Sequence, residues 1–74
     1  MTINFNNTII KKILNQYYKI YNIRKVFGFY KENNNIITFQ IIILKNNEHN
    51  RLKLDVDYQK FIKLYIKTQL LNLK

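Results

Sequence analysis

The sequence predicts an α+β fold in the order α-β-β-β-α, with a three-stranded antiparallel sheet and two helices packed on one of its faces. Three observations carry this prediction. The apolar residues recur at helical spacing at both ends of the chain, and they alternate at period two in its middle. Two asparagine-rich clusters divide the middle into three runs. Finally, 74 residues without cysteine suit one small hydrophobic core and a single domain.

The first helix is expected from about Thr8 to Asn22. Ile9, Ile10, Ile13, Leu14, Tyr17, Ile20 and Tyr21 fall on one stripe. Lys11, Lys12, Asn15, Gln16 and Lys19 fall on the other side. Asn7 or Thr8 can cap its start, and Asn22 can end it in the left-handed conformation.

The first strand is expected over Ile23 to Lys31, where β-branched and aromatic residues dominate. Asn33-Asn34-Asn35 then signals a turn. Ile36 to Lys45 is the clearest strand, with Ile37, Phe39, Ile41 and Ile43 forming a wholly apolar face. A second polar turn is expected at Asn46 to Asn50. A third strand follows over Arg51 to Val56, with Leu52, Leu54 and Val56 inward. Two short turns between three strands make an antiparallel meander.

The last segment, about Asp57 to Leu73, is helical again, with Asp57 as its N-cap. Tyr58, Phe61, Ile62, Tyr65, Ile66, Leu70 and Leu73 are expected to face the core, while Lys60, Lys63, Lys67 and Lys74 share the opposite face. Two helices cover one sheet face only. The other face is expected to carry Val26, Tyr30, Ile36, Ile42 and Leu44 among a few polar groups such as Thr38 and Gln40, and to need a covering partner.

Composition bounds the function. Thirteen Lys and Arg stand against four Asp and Glu, a net charge of +9. Ile, Asn and Lys together supply 36 of 74 residues, which is the mark of a very A/T-rich genome. Codon bias inflates lysine, but a real cationic excess remains and favours a polyanionic partner, RNA or DNA first and an acidic membrane second. The absence of Cys and the single His exclude zinc fingers and disulfide scaffolds. There is no Ser, no Cys and no glycine-rich phosphate loop, so no enzyme, cofactor or small-molecule substrate is expected. The longest apolar run, Ile41 to Leu44, is far too short to span a bilayer, and no targeting segment is expected at Met1 to Asn7.

The candidate binding residues are Lys60, Lys63, Lys67 and Lys74 on the second helix, and Lys11, Lys12, Gln16 and Lys19 on the first. Ammonium groups on one helix face neutralise phosphates, and no acid interrupts either set. Phe27, Phe29, Tyr30 and Phe39 could stack on bases, but core packing is the expected role, above all for Phe39. His49 is read as an exposed turn residue. Asp55 is expected to pair with Lys53 or Arg51.

In order and length the chain resembles a double-stranded-RNA-binding domain. Leu14-Asn15-Gln16-Tyr17 is similar to that family's first-helix start, and Ile37-Thr38-Phe39 to its second-strand Phe-Thr-Val. In the second helix, Lys60 and Lys63 match two of the family's three lysines, while Gln59 stands at the third. The family's alanines are replaced by Ile62, Ile66 and Leu70, and its Gly-Pro-x-His loop element by Lys31-Glu32-Asn33-Asn34-Asn35. The resemblance implies contact with RNA through both helices, Gln16 reaching a 2′-hydroxyl. Small size and positive charge also look like those of ribosomal proteins. The expected function is thus a structural, RNA-binding part of a ribonucleoprotein, with rRNA and neighbouring proteins as partners. A ribosome of an A/T-rich mitochondrial or other organellar genome is the expected setting. The alternative is a protein-interaction module, such as a phage-encoded inhibitor, docking by the open sheet face.

Overall fold

The computed structural model describes residues 5–72. Its elements follow the expected order: α1 (Asn7–Tyr18), β1 (Ile23–Lys31), a 3-10 turn at Glu32–Asn34, β2 (Ile36–Lys45), β3 (Glu48–Asp57) and α2 (Tyr58–Asn72). The strands form one antiparallel sheet in the order β1-β2-β3.

Caps and turns set the boundaries. Asn6, one residue before the expected caps, accepts from the N–H groups of Thr8 (2.9 Å) and Ile9 (3.4 Å). α1 stops at Tyr18, earlier than expected, because Lys19 takes a left-handed conformation (φ 57°) and Ile20 N–H returns to the Leu14 carbonyl at 3.1 Å. Tyr21, expected in the core stripe, therefore lies beyond the helix and is exposed. The β2–β3 hairpin is tighter than expected. Asn46 (φ 53°) and Asn47 (φ 62°) form its two-residue turn, so Glu48, His49 and Asn50 extend β3. Asp57 caps α2 as expected, its Oδ1 accepting from Gln59 N–H at 2.8 Å.

The core lies between the helices and one sheet face. Ile9, Ile10, Ile13 and Leu14 of α1 meet Val26, Ile37, Phe39, Ile41 and Val56 of the sheet and Phe61 of α2. Phe39 and Phe61 pack with ring centres 4.9 Å apart. Gly28 sits directly across from Phe39 on this face and is buried. The molecule measures 35 × 34 × 18 Å, so its thin dimension holds one helical layer and one sheet.

Two expectations are corrected by the packing. Val26 and Tyr30 belong to the core face: Val26 is buried, and the Tyr30 ring packs on Tyr58 at 4.4 Å. Phe27 and Phe29 take the open face instead. A register irregularity between Ile23 and Lys25 is the cause, since one extra residue swaps the two faces of a strand. In α2, Phe61 and Thr68 are buried and Tyr58, Leu64 and Tyr65 half-buried, whereas Ile66, Leu70 and Leu71 are more than half exposed. The helix is anchored by stacking of Phe5 on Tyr65 (4.5 Å) and by Asn6 N–H donating to the Tyr65 hydroxyl at 3.0 Å. That contact turns Ile66 and Leu70 to solvent.

Candidate nucleic-acid interface

Because both helices lie on one side of the sheet, their outer faces form a single layer. α1 contributes Lys12 and Gln16, both exposed, and Lys11, which is half-buried. Lys19 is exposed at the helix end, and its Nζ donates to the Gln16 carbonyl at 3.1 Å. Its ammonium is thus tethered to the C-terminal end of the helix, where a cation is favoured. α2 contributes Lys60, Lys63 and Lys67, all exposed. Lys74, expected in the same stripe, lies outside the described residues.

The two lysine sets meet at Tyr18. Lys60 Nζ stands 6.0 Å from the centre of the Tyr18 ring, which joins the start of α2 to the end of α1. Lys19 follows Tyr18 directly in the chain. Burial pushes the Tyr18 phenol above its ordinary pKa, and the nearby Asp57 carboxylate pushes it further the same way. From this junction the lysines continue along each helix, and Lys67 lies about 10 Å beyond Lys60 at 1.5 Å per residue.

Neither helix contains an acidic residue, while Glu32, Glu48, Asp55 and Asp57 all lie in the strands and their connections. The α2 stripe is bordered by hydrocarbon, however. Ile66, Leu70 and Leu71 share a shallow depression with Lys63 and Lys67.

The sheet's open face holds residues that the sequence left out of the candidate site. Cross-strand register sets Lys25, Ile42 and Arg51 in one row, Phe27, Gln40 and Lys53 in the next, and Phe29, Thr38 and Asp55 in a third. Lys25, Arg51 and Lys53 thus join Phe27 on one surface. Alternation at 25, 27 and 29 and at 51 and 53 was the available signal, but it needed the register to become a site. Asp55 does not need the expected Lys53 or Arg51 partner, because its Oδ1 accepts from the Thr38 hydroxyl at 2.7 Å. His49 is exposed in β3, opposite Leu44, where the sequence placed it in a turn.

Among the described residues no helix is long and apolar enough to cross a membrane. Comparison with protein-family models, with curated proteins and with solved structures finds no match.

Proposed function

We propose that the protein binds structured RNA through its helical layer, as a non-catalytic component of a ribonucleoprotein. One observation carries this reading: Lys11, Lys12, Lys19, Lys60, Lys63 and Lys67 line the two helices, and neither helix bears a carboxylate. A face that is merely solvated usually mixes charge signs. Lysine is a flexible point charge, so contacts go to phosphates and sugars rather than base edges. The codon bias favours a ribosome of an A/T-rich organellar genome as the setting, with rRNA as the ligand. The resemblance to double-stranded-RNA-binding domains supports the same partner. Without the Gly-Pro-x-His loop element, binding to an isolated duplex is weak and relies on the lysines.

The test is the salt dependence of affinity for a structured RNA. Each of Lys60→Ala, Lys63→Ala and Lys67→Ala lowers the slope of log K against log salt by about one unit. An affinity indifferent to salt, or slopes unchanged in all three variants, rules the reading out. The rival reading, a protein-interaction module docking by the sheet, requires that second result.

A further inference from the structure

We propose that the basic half of the open sheet face is a second site, which stacks an unpaired base on Phe27 and holds the adjoining phosphates of a single strand with Lys25, Arg51 and Lys53. Phe27 is 51 % exposed in the middle of a strand, on the face that no helix covers. An aromatic ring there, left out of the core, is open to solvent. Its cross-strand neighbour is Gln40, and beyond Gln40 stands Lys53. Lys25 lies two residues along the same strand, and Arg51 shares its row across Ile42. Phe27, Gln40, Ile42, Arg51 and Lys53 line one shallow pocket of about 430 Å³.

The chemistry selects the occupant. A protein partner would be served by a continuous apolar face. Here one open ring shares two adjoining rows with Lys25, Arg51 and Lys53, and the amide beside it, Gln40, can both donate and accept. Base–aromatic stacking tolerates any base, and flanking Lys and Arg take the backbone charge. The carboxylates on this face are engaged in the fold: Asp55, in the row next to Phe27, accepts from the Thr38 hydroxyl, and Asp57, one row further, caps α2. A strand of nucleic acid is therefore drawn to Phe27 and the row of Lys25 and Arg51 beyond it, away from Asp55. Phe29, half-buried opposite Thr38, lies in the next row, between Phe27 and the acidic side.

The choice of RNA rests on the function proposed above; the site itself does not. The probes are fluorescein-labelled eight-nucleotide oligouridylate, oligodeoxythymidylate of equal length, and a short RNA duplex, titrated with the full chain at constant salt. Phe27→Ala is expected to weaken single-strand binding about tenfold. It should leave duplex binding unchanged, while Phe27→Tyr retains the wild-type single-strand affinity. Lys63→Ala should weaken duplex binding without removing the Phe27 effect, so failure of either site is visible separately. The chain contains no tryptophan, which makes Phe27→Trp a single reporter whose fluorescence should be quenched on saturation with oligouridylate. The site is overturned if Phe27→Ala binds single strands as the wild type does, or if the tryptophan emission is unchanged at saturation. Binding of oligodeoxythymidylate but not oligouridylate overturns the assignment to RNA.

Discussion

The Thr38 hydroxyl donates to Asp55 Oδ1 at 2.7 Å, from β2 to the directly opposite residue of β3. The bond lies on the sheet face without helical cover, yet Thr38 is only 5 % exposed. Removing the acceptor leaves a buried hydroxyl unpaired, which costs about 1–3 kcal/mol. Asp55→Ala is expected to lose stability in that range in urea unfolding, whereas Asp55→Asn, which keeps an acceptor oxygen, should lose much less. Equal losses in both variants would show that charge, not the hydrogen bond, is what matters at this position.

The β2–β3 turn makes its own prediction. Both central residues, Asn46 and Asn47, have positive φ, which L-residues other than Asn and Asp adopt only at some cost. Asn47→Gly should stabilise the hairpin by a few tenths to about 1 kcal/mol, and Asn47→Val should destabilise it by about 1–2 kcal/mol. Thermal melts of the two variants should move in opposite directions. Loss of stability in the glycine variant would mean that the Asn47 side chain is needed in the turn.

The orientation of α2 can be checked by contrast. Phe61 is fully buried against Phe39, so Phe61→Ala opens a cavity worth about 3–5 kcal/mol, enough to unfold so small a domain. Ile66 and Leu70 lie on the solvent side, and Ile66→Gln or Leu70→Gln should stay within about 0.5 kcal/mol of wild type. Circular dichroism at 25 °C decides: a folded Phe61→Ala beside an unfolded Ile66→Gln would mean that the helix is turned by about a third of a turn.

Tyr18 gives stability an alkaline limit. Its folded pKa is raised above the ordinary 10.0 by burial and by Asp57. The neutral phenol is therefore favoured in the native state. This contribution is complete below pH ~10 and is lost as pH rises through the folded pKa, where the unfolded chain ionises more readily. Tyr18→Phe should flatten the fall in melting temperature above pH ~10. A fall as steep as in the wild type would assign it to other groups.

Much of the fold was legible because it was local. The limits of β1 and β2, the α2 cap at Asp57 and the inward placing of Leu54 and Val56 follow from short-range alternation, turn chemistry and capping, whereas Leu52, expected inward with them, is 39 % exposed. Asparagine marked the turns, since among the described residues Asn22, Asn35, Asn46 and Asn47 take positive φ, although α1 ends at Lys19 before reaching Asn22 and Asn50 lies within β3. Lys12, Lys60, Lys63 and Lys67 are exposed, as the periodicity placed them, because an ammonium group is rarely buried without a partner, while Lys11 is half-buried and Lys74 lies outside the described residues.

The choices between two apolar faces were not legible. β1 offers Val26 and Tyr30 on one side and Phe27 and Phe29 on the other, and hydrophobicity alone does not rank them. Pairing with β2 and the irregularity after Ile23 selected the first pair for the core, putting Phe27 among Lys25, Arg51 and Lys53. α2 likewise carries two apolar stripes about a third of a turn apart, and only the docking of Phe61 on Phe39 and Tyr65 on Phe5 chose between them. The order of elements, the positions of the two turns though not the length of the second, and the excess of charge were written in the sequence, because each depends on residues within a few positions of one another. Which aromatic lies buried and which lies open was decided by tertiary structure, because it depends on strand register and helix rotation, which distant contacts set together.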